Sequence, residues 1–179
     1  MKKGVEQQLD KNTLLIILYF IEKLNGVLGK THLQKMLFLS DLISTKKYKE
    51  KLTTIDYQKY HFGPYSEAVA DYVKELKSRN LIEERELPFH DESGKTYTRY
   101  YFKSAEPAKP SLLSALGADK TILLDDIANS FGNMSLQEVL DVVYSLETVK
   151  DAEKGTPLDM AKFLDDEREE NFPDILAGL

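Results

Sequence analysis

Three kinds of side chain could carry chemistry in this 179-residue sequence, and each can be weighed by its neighbours. The three histidines, His32, His61 and His90, stand far apart. None has a second histidine or a carboxylate at a metal-ligand spacing such as HExxH, so each reads as an ordinary surface or turn residue. There is no cysteine, which excludes disulfides, thiolate-bound zinc or iron–sulfur clusters, and a cysteine nucleophile. No GxSxG or SxxK pattern sets up a serine nucleophile, and the nine glycines are too scattered for a phosphate loop. Asp125-Asp126 and the run Asp165-Asp166-Glu167-Arg168-Glu169-Glu170 could hold a divalent cation for a small hydrolase. A solvated charged face is the more ordinary meaning of such runs. The expectation is a non-enzymatic protein with no metal and no cofactor.

The residues that do stand out lie in two segments. One is Lys30-Thr31-His32-Leu33-Gln34-Lys35-Met36-Leu37-Phe38-Leu39-Ser40-Asp41, and the other is Tyr60-His61-Phe62-Gly63-Pro64-Tyr65-Ser66. Gly63-Pro64 predicts a sharp turn, and Ser66 predicts a cap for the orphan amides of the helix that follows. Tyr60, Phe62 and Tyr65 add aromatic mass around that turn. On a structural reading this is a turn and a cap pinned by packing. On a functional reading the exposed turn is a binding edge made of His61, Phe62, Gly63, Pro64, Tyr65 and Ser66, with Glu67 and Asp71 on the next helix.

The elements that must position these residues follow from periodicity. Asn12 or Thr13 can cap a helix from Leu14 to about Leu24, apolar on nearly all sides and therefore central. Asn25-Gly26 ends it. Thr31 opens a second helix to about Ile43, with Thr31 and Gln34 spaced as a capping box, and Thr45–Lys51 reads as a basic connector. Tyr57–Phe62 reads as a short strand, and a third helix runs from Ser66 to about Arg79, leaving at Asn80. Leu81–Leu87 and Thr96–Phe102 read as a β-hairpin turned at Ser93-Gly94. Leu123, Leu124, Ile127 and Phe131 mark a further helix, Ser135 caps another, Gly155-Thr156-Pro157 breaks the chain, and Met160–Leu164 is weakly amphipathic. The class expected is mainly α (α+β): a winged helix-turn-helix-like core with a β-hairpin wing over 1–103, a linker over 104–110, C-terminal helices over 111–164 packed on the core, and an acidic tail over 165–179. The longest apolar run, Leu14 to Ile21, is too short to span a bilayer, and no signal-peptide pattern precedes it. The expectation is therefore a soluble, cytoplasmic protein with no membrane partner.

The two segments, which stand here as HLQKMLFLSD and HFGPYS, resemble the Panacea domain family, the SocA-like antitoxins, and the related YwgA-like proteins. The resemblance covers Leu14 to Arg79 well and the hairpin loosely, and SLQEVLDVVYS (Ser135–Ser145) is similar to that family's closing helix. His61-Phe62 departs from the usual pattern before the glycine, and Thr148–Asp159 matches the family's later residues poorly. The resemblance implies a non-catalytic module: an antitoxin that binds a protein partner such as a toxin, or an adaptor or regulator.

Charge bears on the alternative, a winged-helix DNA-binding transcriptional regulator. The net charge is −6. Residues 1–103 hold 18 Lys/Arg against 14 Asp/Glu, a net of +4, and residues 104–179 hold 6 against 16, a net of −10. Such a regulator would use its third helix and wing on phosphates and bases. Yet Ser66–Arg79 carries Glu67, Asp71 and Glu75 against Lys74, Lys77 and Arg79, and the hairpin from Leu81 to Phe102 has a net of −2. The DNA-contact candidates that remain are Lys30, Lys35, Lys46, Lys47, Lys49, Lys51, Lys74 and Lys77, and a homodimer could bring Lys30, Lys35 and the loop lysines together. An acidic C-terminal half could instead face a basic partner or fold back on the basic half.

Overall fold

A computed structural model of the protein describes residues 9–27, 29–90, 93–106 and 114–165. Helix α1 (Lys11–Lys23) starts at Asp10, whose Oδ2 accepts from the Thr13 amide at 2.7 Å and the Thr13 hydroxyl at 2.9 Å. The cap is thus Asp10, not Asn12 or Thr13. Every residue from Thr13 to Ile21 is buried, as an all-round apolar helix requires. Asn25 (φ 52°) and Gly26 (φ 117°) then turn the chain in left-handed conformations.

Helix α2 (Gly29–Tyr48) exceeds its sequence pattern at both ends. It begins two residues before Thr31, which dissolves the expected capping box. It also carries Lys46 and Lys47 in its last turn, so the basic connector expected over Thr45–Lys51 is partly helix. Burial continues without a break from His32 to Thr45, and packing of this kind outweighs local propensity.

Strands β1 (Tyr57–Tyr60) and β2 (Gly63–Tyr65) form an antiparallel hairpin in the register Gln58↔Tyr65, Lys59↔Pro64, Tyr60↔Gly63. The strand expected over Tyr57–Phe62 therefore stops at Tyr60. The reversal is His61-Phe62, and Gly63-Pro64 is not the turn but the start of the returning strand. Gly63 takes φ 85°, a conformation natural to glycine, and Pro64 lies on an edge strand that does not need its missing N–H. Helix α3 (Ala68–Ser78) leaves at Asn80 (φ 53°), as its sequence predicts.

Strands β3 (Ile82–His90) and β4 (Thr96–Ser104) pair from Ile82↔Ser104 to His90↔Thr96, a longer ribbon than expected. Its base is stitched to the α1–α2 junction, where the Val27 and Phe102 amides each donate to the other's carbonyl at 2.9 Å. A 3₁₀ turn (Ser114–Leu116) leads into α4 (Ala118–Phe131). Helix α5 (Leu136–Ser145) is capped at Ser135, as its sequence predicts, and the cap is a full capping box: Glu138 N–H donates to Ser135 Oγ (3.2 Å) and Ser135 N–H to Glu138 Oε2 (2.6 Å). Helix α6 (Glu147–Asp151), strand β5 (Pro157–Leu158) and helix α7 (Met160–Asp165) complete the described chain.

Strand β5 joins β1 to give a sheet of order β2-β1-β5, and β3-β4 forms the second sheet. The fold is mixed α+β, dominated by helices, with two small sheets. Among the described residues one hydrophobic core runs through all seven helices, α1 to α7, and takes in Tyr57, Ile82 and Phe102 from the strands. Phe38 on α2 sits edge-on to Tyr57 (5.4 Å) and to Phe163 of α7 (5.6 Å). Most of the expected 104–110 linker and the acidic run after Asp165 lie outside the described residues. Among the described residues no helix is long and apolar enough to cross a membrane.

Candidate functional site

The segment HLQKMLFLSD forms the face of α2 that holds the β1–β2 hairpin. Gln34 Nε2 donates to the Ser66 carbonyl at 2.7 Å, and the Ser66 amide donates to Gln34 Oε1 at 2.9 Å. One amide side chain thus satisfies both backbone groups of a residue 32 positions away, at a buried site where an unmade bond is costly. Ser66 is the recipient of this clamp. The start of α3 lies at Glu67 and has no side-chain cap bond. Gln34→Ala is expected to lower stability by about 2 kcal/mol, read as a lower urea midpoint with an unchanged m-value.

The next residue, Lys35, is 2% exposed. Its Nζ donates to the Pro64 carbonyl at 2.6 Å. Burial, reinforced by nearby Lys59, lowers its ammonium to about 8. One helical turn and a half further on, Asp41 is fully buried and accepts from the Thr53 amide (2.7 Å), the Thr53 hydroxyl (2.6 Å) and the Tyr57 hydroxyl (3.0 Å). Burial raises this carboxyl to about 6, and the Thr53 donors, Lys51 and Tyr57 hold it back. Gln34, Lys35 and Asp41 therefore fix three successive points: the exit of β2, the middle of β2, and the entry to β1.

His32 opens the same segment. It is 6% exposed, its two ring nitrogens have no hydrogen-bond partner, and burial pushes its pKa down, so it is neutral at pH 7.

The C-terminal half braces the hairpin from the other side. The Lys59 amide donates to Thr156 O (2.8 Å) and the Gly155 amide to Lys59 O (2.7 Å). Lys59 Nζ donates to Val149 O (2.8 Å) and lies 4.5 Å from the centre of the Tyr144 ring. Tyr144 donates to the His61 carbonyl at 3.2 Å, and Lys154 donates to His61 Nε2 at 2.8 Å while lying 4.8 Å from the centre of the Tyr60 ring. A Cβ on Gly63 would meet Val143 Cγ1 at 3.4 Å. Sequence reasoning missed these partners, since β5 is too short to show periodicity.

Held on both sides, the turn presents its rings outward. Phe62 is 65% exposed and Tyr60 40%. Tyr60 packs on Tyr65 (5.2 Å) and edge-on to His61 (4.6 Å). Of the partner-binding candidates, His61, Phe62, Glu67 and Asp71 are exposed and Tyr65 is half-buried. Gly63, Pro64 and Ser66 are buried, so they shape the edge from beneath. A cavity of about 240 Å³ opens beside it, lined by Lys30, Gln34, Lys35, Tyr60, Phe62 and Tyr65 among others. Lys30 and Thr31 also border a larger groove of about 780 Å³, which reaches Arg99 and Tyr100 of β4 and the start of α5.

The DNA-contact candidates do not converge. Lys35 is buried and bonded to Pro64, and it borders the cavity beside the turn rather than the outer surface along which a DNA backbone would lie. Lys77 pairs with Glu84, and Lys51 pairs with Asp56 at 3.0 Å. Lys74 is exposed on α3. Lys30 lies on the first turn of α2 and Lys46 and Lys47 on the last, about 24 Å apart along the axis, with Lys49 beyond them. The pair Asp125-Asp126 offers little to a cation, because Asp125 accepts from Lys23 (2.6 Å) and from the Tyr19 hydroxyl. The Lys23 bond comes first in lowering the Asp125 pKa. Among the described residues no group of three His, Asp or Glu is placed to hold a metal.

Comparison with known proteins gives this geometry its setting. The family model described as antitoxin SocA-like, Panacea domain matches residues 33–148. The match covers well over half of the chain, and the chain belongs to that family. It runs from the clamp on α2 through both hairpins and α5; it begins at residue 33 rather than at Leu14, where the resemblance read from the sequence begins, and it ends just past the closing helix. No curated protein and no solved structure matches the chain.

Proposed function

We propose that this member of the SocA-like antitoxin family works without catalysis, by binding a protein partner such as a toxin. The docking edge is the β1–β2 turn, with Tyr60 and Phe62 as its anchors. The observation that carries this reading is Phe62, a large apolar side chain left 65% exposed on a backbone that α2 and the C-terminal half hold in place. Aromatic anchors presented on a preorganised backbone are the usual energetic centre of protein interfaces. Fixing the turn before binding also removes an ordering cost that a mobile loop would incur. We read α1–α3 with the β3–β4 ribbon as a winged-helix-like scaffold turned to protein contact, with Glu67 and Asp71 on the exposed side of α3 setting the sign of the partner.

The test is co-expression with the product of the adjoining reading frame. If that product arrests growth, the chain is expected to restore it and to co-purify with it. Failure of rescue together with failure to co-purify would sink the reading.

A further inference from the structure

The cavity beside Phe62 has an electrostatic peculiarity. Lys35 is 2% exposed yet borders it, and its one hydrogen bond among the described residues, to the Pro64 carbonyl, leaves ammonium protons to spare. Among the described residues no carboxylate forms an ion pair with Lys35. The charge nearest in influence is another cation, Lys59. A second lysine, Lys30, borders the same space, among the described residues no Asp or Glu does, and three of the other seven lining residues, Tyr60, Phe62 and Tyr65, are aromatic. Buried charges in proteins are ordinarily paired. At about 8, Lys35 keeps its proton at neutral pH, so this cavity holds positive charge with no anion among the described residues.

On the premise that a protein partner docks at the Tyr60–Phe62 edge, we propose that the cavity receives a carboxylate side chain of that partner, with Lys35 and Lys30 as its counter-ions and Tyr60, Phe62 and Tyr65 packing on its apolar stem. The size agrees: about 240 Å³ suits one acidic side chain and is below the usual range for a whole small-molecule ligand. Charge complementarity selects the occupant. An ammonium-bearing side chain would face two lysines, and a purely apolar one would leave Lys35 uncompensated. The acid would reach a donor that a free carboxylate in water does not have: a desolvated ammonium, which makes a stronger charge-assisted bond than an exposed one.

The test uses the full chain and two isosteric probes, phenylacetate and phenylacetamide, titrated while amide chemical shifts are followed by NMR. Phenylacetate is expected to bind with a Kd on the order of 1–10 mM, moving the amides of Gln34, Gly63 and Tyr65. The amide analogue should bind about tenfold more weakly or not at all. Lys35→Met should abolish phenylacetate binding and Lys30→Gln should weaken it about threefold. Should Lys35→Met not fold, the acid–amide difference and the Lys30→Gln titration decide the matter on folded protein. Equal binding of acid and amide, no binding of the acid, or acid binding undiminished in Lys35→Met or in Lys30→Gln would overturn the proposal. Partner rescue that persists after any of those results would remove the carboxylate site and leave the docking edge standing.

Discussion

Asp41→Ala is expected to lower the stability of the protein by about 3 kcal/mol, a fall in Tm of about 6–12 °C. Asp41 is fully buried and serves the Thr53 amide, the Thr53 hydroxyl and the Tyr57 hydroxyl. Truncation leaves three donors in the core without an acceptor, and donors in that position incur their full desolvation cost. A cavity where the carboxylate stood adds to the loss. Tyr57→Phe removes a single donor and should cost about 1 kcal/mol, so the two variants separate the network from one of its bonds. Thermal melts followed by circular dichroism read both.

The same carboxyl makes stability depend on pH with a definite sign. Its folded pKa, about 6, lies above the ordinary value of 3.8. Between those values the folded protein holds the proton more tightly than the unfolded chain does, so unfolding releases it and stability falls as pH rises. The contribution is fully present below 3.8 and is lost as pH passes through about 6. Asp41→Asn cannot titrate. The Tm difference between the natural protein and Asp41→Asn should therefore shift against the natural protein on going from pH 4 to pH 7, and a difference independent of pH would contradict this account of Asp41.

Phe62→Ala is expected to do the opposite of Asp41→Ala: weaken partner binding severely and leave the fold alone. With 65% of its surface in water, Phe62 buries little within the protein. The loss in Tm should stay within about 2 °C. At an interface the same ring would lose its exposed face to the partner, and truncating an aromatic anchor typically costs about 2–4 kcal/mol of binding, roughly 30- to 1000-fold in Kd. Tyr60 at 40% exposure, already packed on Tyr65 and His61, has less to gain and should matter less.

What could be read from the sequence depended on how local each signal was. The burial of α1 follows from its unbroken apolar run, and the Ser135–Glu138 capping box is contained in four residues. Asn80 and Asn25-Gly26 mark their left-handed exits directly. Gln34 shows the limit. Thr31-x-x-Gln34 satisfies a capping-box pattern, but a partner 32 residues away, the Ser66 backbone, takes the side chain and α2 begins at Gly29. Ser66 reads as a helix cap for the same reason: its hydroxyl is the visible local signal, while its clamped amide and carbonyl are not. Lys35 reads as a surface cation because nothing local shows that Pro64 will come within reach of its ammonium.

The candidate edge divides along the same line. Its aromatic residues are visible in the sequence as a cluster around Gly63-Pro64. Which of them face out was not, because that depends on the His61-Phe62 reversal and on the brace from Lys59, Tyr144 and Lys154. The charge split has a similarly partial meaning. Lys23 and Asp125 pair across the two halves, and among the described residues the shared core and the β1–β5 strand pair join them as well.

The most direct test is calorimetric titration of the adjoining reading frame's product into three forms of the chain: natural, Phe62→Ala, and the quadruple variant with Lys46, Lys47, Lys49 and Lys51 replaced by alanine. Docking at the Tyr60–Phe62 edge predicts a loss of roughly 30-fold or more for Phe62→Ala with an unchanged melting curve, and affinity within about threefold of natural for the lysine variant. Undiminished binding by Phe62→Ala, or binding lost only in the lysine variant, would contradict it.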